Sequence, residues 1–251
     1  MPNPKVSCYC PTYGRTNLLE EAVYSFLMQD YDGEKELIIL NDFSEQTIFY
    51  DHPEIKIINS KERITPLSKK FNECISYCSG EYIFVWEDDD IYLPWKISLS
   101  IKRLNADGIF HTGNAFFNID KDQLSVCSNL HHSSLCMNSK CWKSIDYYTV
   151  LETDTCDLDI VLFDKISKNY KNVTQVVEPK DIFYIYRFGS TQDYHSSMFP
   201  AASKTNVSDQ ARLYVKNKIL KNKELTGKIF LNPHWKYDYL KSREHCLNEI
   251  G

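Results

Sequence analysis

Glu81-Tyr-Ile-Phe-Val-Trp86 runs straight into Glu87-Asp-Asp-Asp90. The first stretch is a short apolar run rich in aromatic and β-branched side chains, as a strand covered on both faces should be. The second puts four carboxylates in one loop. Like charges that close repel unless something positive sits among them. A solvated acidic loop is the simplest reading of such a run. Here the loop is pinned between a buried strand and a helix entered through Leu93-Pro94, and hard oxygen ligands suit Mg2+ or Mn2+. Water and the phosphate oxygens of a substrate would complete the coordination.

Upstream, the chain alternates short strands with amphipathic helices. Lys5-Val-Ser-Cys-Tyr-Cys10 predicts a strand stopped at Pro11. Asn17 is placed to open a helix, with Glu20 as its capping partner and Leu18, Leu19, Ala22, Val23, Phe26 and Leu27 as its stripe. Glu36-Leu-Ile-Ile-Leu40 and Glu54-Ile-Lys-Ile-Ile58 predict two more strands. Thr65-Pro66 starts a second helix with Pro at its first position, and Gly80 ends it. The order β-α-β-β-α-β predicts an α/β domain with a mostly parallel sheet. Ligands of such sheets sit off the carboxyl ends of the strands. Thr12, then Asn41 and Asp42, then the acidic run all fall at those ends.

Downstream the pattern is less regular. Ile91–Leu104 and residues 157–168 predict helices; Gly108–Thr112, Ala115–Asn118 and Ile182–Tyr186 predict strands. Arg187 and His195 lie in one Gly-containing loop after the last strand, and an Arg with a His suits an anionic diphosphate. His131-His132 reads first as a plain loop and second as part of an acceptor mouth. From Ser208 the chain reads as helical and basic, +4 against −9 for the remainder. That tail is expected to pack on the domain, or else to offer peripheral contact with a membrane or a nucleic acid.

Composition limits the function classes. The 251 residues carry a net charge of −5 and are 43% hydrophobic, which excludes a disordered chain and argues against a general polyanion binder. The longest apolar runs fall far short of a transmembrane segment, and Met1-Pro-Asn-Pro-Lys5 precedes no signal-like stretch. Nine cysteines without a Cys-x-x-Cys pair read as reduced thiols of a cytoplasmic protein and not as a zinc site. Asn172-Val-Thr and Asn206-Val-Ser are then sequons only on paper.

The chain resembles family 2 glycosyltransferases with the GT-A fold. The likeness lies in Val6-Ser-Cys-Tyr-Cys-Pro-Thr-Tyr-Gly-Arg15, Leu19–Gln29, Glu36-Leu-Ile-Ile-Leu-Asn-Asp-Phe-Ser44, Ser68-Lys-Lys-Phe-Asn72, Ser79-Gly-Glu-Tyr82 and Trp86-Glu-Asp-Asp-Asp-Ile-Tyr-Leu-Pro94. The resemblance implies a GT-A catalytic domain over 1–205, with a nucleotide-binding half (1–105) and an acceptor-binding half (106–205), followed by a helical C-terminal appendage (206–251). It implies donor binding by Pro11, Thr12, Tyr13, Arg15, Asp42, Lys70, Asn72, Asp88 and Arg187. Metal binding falls to Asp89, Asp90 and His195. Phe71 stands where many relatives carry Arg. An Asp near the start of a downstream helix would act as base: Asp157 first, with Asp154 and Asp159 as alternatives.

The expected reaction is an inverting, Mn2+- or Mg2+-dependent transfer of a sugar from a nucleoside-diphosphate sugar, UDP-linked, to an acceptor hydroxyl. The expected acceptor is a glycan or lipid-linked glycan; a modified nucleic acid or a protein is the alternative. A nucleotidyltransferase and a non-catalytic nucleotide-sugar-binding relative are the competing classes. Pro11-Thr-Tyr-Gly-Arg15 is a poor phosphate loop for the former.

Overall fold

The computed structural model describes residues 3–120, 123–150, 158–187 and 226–250. Its strands are β1 (Val6–Thr12), β2 (Lys35–Asn41), β3 (Gln46–Phe49), β4 (Ile55–Asn59), β5 (Tyr82–Val85), β6 (Ile91–Tyr92) and β7 (Ile109–Thr112), then β8 (Asn114–Asp120), β9 (Gln123–Ser128), β10 (Cys136–Asn138), β11 (Thr174–Gln175), β12 (Tyr184–Arg187) and β13 (Gly227–Phe230). Its helices are α1 (Thr16–Leu27), α2 (Leu67–Ser76), α3 (Lys96–Arg103), α4 (Ser139–Ser144), α5 (Leu158–Asn169) and α6 (Tyr239–Ile250).

A seven-stranded sheet in the order β11-β7-β10-β5-β1-β2-β4 forms the centre. All its pairings are parallel except those of β10. The chain moves outward from β1 through β2 to β4 and then returns to the other side of β1 as β5. Chain direction therefore switches between β1 and β5, and a crevice opens at their carboxyl ends. One face of the sheet packs α1 and α3 against Cys8, Cys10, Leu37, Ile39 and Trp86. The other packs α2, α4 and α5 against Tyr9, Ile38, Leu40, Ile83 and Val85. Trp86 is fully buried, edge-on to Phe26, and donates its indole N–H to the Ala22 carbonyl at 3.0 Å. Truncation of such a ring costs about 3–5 kcal/mol.

Several expectations shift. β1 continues through Pro11 to Thr12. Tyr9 gives its carbonyl to Trp86 N on the β5 side, so two residues on Pro11 faces that side too, where β5 has already ended. Its missing N–H therefore costs no ladder bond. Helix α1 starts one residue before Asn17, with Arg15 as N-cap and no side-chain cap bond there. Glu20 instead accepts the Asn232 N–H at 2.8 Å. Pro66 is the N-cap of α2 and not its first helical residue. Gly80 serves a close approach: a Cβ there would lie 2.6 Å from the Ser7 backbone nitrogen. Ile91–Tyr92 is a strand, paired antiparallel to β12, because Pro94 keeps the helix from starting earlier. In the tail, α6 is helical, but Gly227–Phe230 pairs parallel with β3.

Candidate active site

The crevice between β1 and β5 collects the polar residues that end the strands. On the β2 side, Asp42 is buried and accepts Lys70 Nζ at 2.6 Å, Arg63 Nη1 at 2.7 Å and the Ile64 N–H at 2.9 Å. Lys70 also donates to the Thr12 carbonyl at 2.6 Å. Burial pulls the Lys70 ammonium down to about 8 against the opposing pull of Asp42. Arg63 lies over the Tyr13 ring at 3.8 Å, and Tyr13 meets Phe43 edge-on at 5.1 Å. Together these residues make an aromatic and cationic recess beside Pro11. Sequence reasoning missed Arg63. Its signal was available, since it follows β4 at the same carboxyl edge.

On the β5 side the acidic run divides. Asp88 turns toward β1, where Thr12 Oγ1 donates to it at 2.6 Å and Arg15 Nε at 3.2 Å. Burial raises the Asp88 carboxyl, and Arg15 opposes it. Arg15 Nη1 reaches Asp89 at 2.7 Å, so one guanidinium bridges two carboxylates. Glu87, Asp89 and Asp90 converge, with one carboxylate oxygen of each within 4.8 Å of the others. Three hard oxygen donors at that spacing fit a divalent cation such as Mg2+ or Mn2+. Asp90 is oriented from behind by Tyr184 Oη at 2.8 Å and the Arg187 N–H at 3.2 Å.

Glu87 is held separately. Ser133 Oγ donates to one of its oxygens, and His132 Nε2 stands 3.6 Å from the other. His132 Nδ1 contacts Asp159 in the first turn of α5, and the His132 N–H reaches the same carboxylate at 3.3 Å. Burial opposes charge on His132, but Asp159 and Glu87 outweigh it and lift the ring to about 9. Burial also lifts Glu87 to about 7, against the pull of His132. Asp159 is held below the usual carboxylate range, because the two histidines beside it outweigh its burial. Phe71 packs edge-on against His132 at 5.7 Å.

Two residues expected in donor binding spend their polar groups on the protein. Arg187 is buried behind the loop, with Nη1 2.6 Å from Glu21 and Nε on the Asp89 carbonyl. Asn72 spends its amide on the Tyr148 backbone, donating at 2.9 Å and accepting at 3.0 Å. Asp154, Asp157 and His195 lie outside the described residues.

The sequence matches glycosyl transferase family 2 over residues 7–158. It is 35% identical over 104 residues to an Escherichia coli (strain K12) protein named as a colanic acid biosynthesis glycosyl transferase, covering 39% of this chain and 37% of that one. It is 31% identical over 116 residues to the GalNAc(5)-diNAcBac-PP-undecaprenol beta-1,3-glucosyltransferase of Campylobacter jejuni, covering 43% and 37%. These matches span well under half of the relatives. Residues 1–349 of S. aureus TarS with UDP-GlcNAc superpose with a TM-score of 0.59 at 14% identity, over 98% of this chain and 71% of that one. A Pyrobaculum calidifontis mannosyltransferase with GDP-Man and Mn2+ gives 0.52 at 13%, over 88% and 65%. With the family matching more than half its length and this topology, the chain belongs to glycosyl transferase family 2 and has the GT-A fold.

Proposed function

We propose that this protein moves a sugar from a nucleoside-diphosphate sugar to an acceptor hydroxyl, with inversion at the anomeric carbon. One observation carries the reading: across a single crevice, the acidic trio Glu87–Asp89–Asp90 faces a recess built from Asp42, Arg63, Lys70 and Tyr13. The recess suits a base and ribose, with Tyr13 and Arg63 as flat surfaces and Asp42 as acceptor. Thr12 and Asp88 lie between the two halves, where the ribose and first phosphate would sit. A divalent ion held by the trio would offset the charge developing on the departing diphosphate. Arg15 adds a second cationic group at the same place.

The base that takes the acceptor proton is Asp157, with Asp154 as the alternative; Asp157 directly precedes α5 in sequence and Asp154 lies three positions further back, and the His132–Asp159 contact brings the start of that helix toward Glu87. The acceptor side is the face of α5. A cavity of about 760 Å3 lies there between α5, β7 and β11, with Leu130, Phe163, Asp164, Tyr170 and Asn172 on its walls. Mostly apolar walls with a few polar groups suit the apolar face of a sugar ring. The Campylobacter relative is named for an undecaprenol-linked glycan, and a lipid-linked glycan is the acceptor class we assign. Among the described residues no helix is long and apolar enough to cross a membrane, so such an acceptor would be met at the membrane surface.

Solved neighbours hold UDP-GlcNAc in one case and GDP-Man in the other, so both nucleotide classes belong in the test. Thermal stabilisation by UDP- and GDP-sugars with Mn2+, followed by donor hydrolysis, is the direct experiment. Stabilisation by a UDP-sugar and its loss in EDTA are expected. A protein indifferent to every donor, or fully active in EDTA, overturns the reading.

A further inference from the structure

We propose that His132 is a positioning residue that holds Glu87 in the acidic trio and ties the first turn of α5 to it. Three carboxylates that converge within 4.8 Å repel one another, so without a counter-group Glu87 would swing out. Asp89 has Arg15, and Asp90 has Tyr184 and the Arg187 N–H. Among the described residues, the side-chain partners that touch the Glu87 carboxylate come from the 3-10 turn His132–Ser134, which supplies Ser133 Oγ and the His132 ring, while the Lys96 charge acts without a direct contact.

The ring is itself fixed. It is buried, wedged edge-on between Phe71 at 5.7 Å and Tyr148 at 5.8 Å, and anchored at Nδ1 by Asp159. Among the described residues its buried Nε2 has no hydrogen-bond partner, and it stands 3.6 Å from Glu87. A polar atom kept in that state is costly unless it faces a charge. The same ring thus reads two elements at once: the metal loop through Glu87 and the acceptor-side helix through Asp159. The Phe71 ring is one wall of the slot that seats His132.

This inference rests on reading the trio as a metal site. The probe is Mn2+ alone, added to the full chain without donor, with bound and free ion read by electron paramagnetic resonance. Outer contacts to metal ligands are worth about 10–100-fold in affinity. His132→Gln and Ser133→Ala are expected to raise the Mn2+ dissociation constant by about tenfold or more while circular dichroism shows the native fold. In a Glu87→Gln background, His132→Gln is expected to add nothing further, because the coupled partner is already gone. Asp159→Asn stands in should His132→Gln fail to fold, since it removes the anchor and keeps the ring. If wild type binds no Mn2+, the metal reading falls and this inference with it. If wild type binds Mn2+ and the folded variants bind it equally well, only the positioning role is overturned. Additive losses in the double variant overturn it too.

Discussion

The Arg187 guanidinium lies 2.6 Å from the Glu21 carboxylate, and both groups are buried behind the acidic loop. Glu21 is on α1 and Arg187 at the end of β12, so the pair joins the first helix to a strand late in the chain. Tyr239 Oη reaches the other Glu21 oxygen at 2.9 Å, and the Lys236 N–H does so at 3.1 Å. The basic tail is thus tied into the back of the site, one residue removed from Asp89 and Asp90.

Breaking a buried pair leaves the surviving charge uncompensated, at a cost of about 3–5 kcal/mol. Glu21→Gln should therefore lower the urea unfolding free energy by about 3 kcal/mol. Tyr239→Phe, which removes one hydrogen bond to the same carboxylate, should cost about 1–2 kcal/mol. A Glu21→Gln loss below that of Tyr239→Phe would show that the pair does not matter.

Arg63→Ala should weaken UDP binding by about tenfold, because it removes both the stack on Tyr13 and one of the two cations on Asp42. Titration calorimetry with UDP measures this. An unchanged dissociation constant would place the base away from Tyr13.

Arg15 bridges Asp88 and Asp89 as a cation would. In the proposed site it would compete with a metal for Asp89 and act with that metal on a diphosphate. Arg15→Gln should therefore tighten Mn2+ alone and weaken UDP, opposite shifts that a damaged site would not show. A loss of affinity for both sinks this account.

The carboxyl edge of the sheet was legible in the sequence because period and position agree there. Continuous apolar runs mark β2 and β5, an alternating one marks β1, and the polar residues that follow them mark their carboxyl ends. The division of the acidic run was not legible, since adjacent carboxylates carry no sign of which turns toward Thr12. Glu21 was hidden for a different reason. It sits on the buried side of α1, and its partner lies 166 positions away in sequence. The β3–β13 pair likewise joins distant segments with no local period to announce it. His131-His132 reads as a loop because the two carboxylates beside His132 come from other elements.

His111 offers an acid-sensitive point outside the acidic loop. It is buried on β7 against Phe163. The His131 carbonyl, 2.8 Å from Nε2, can only accept, so Nε2 carries the proton and Nδ1 is left to accept from Thr174 Oγ1 at 3.1 Å. Burial pushes the ring down to about 4, with His132 adding to it and the His131 carbonyl and Asp159 opposing. The unfolded chain takes up this proton near pH 6.5 and the folded chain only near 4. Between those values the unfolded state binds more protons, so stability falls as the pH drops through 6.5 and the loss is complete below about 4. The span corresponds to about 3 kcal/mol. His111→Gln keeps polar atoms at the site and should remove this slope, so that variant and wild type diverge at pH 7.5 and converge toward pH 4.5 or cross. Urea unfolding at intermediate pH values measures it, and parallel profiles from 7.5 to 4.5 would mean that His111 carries no part of the acid lability.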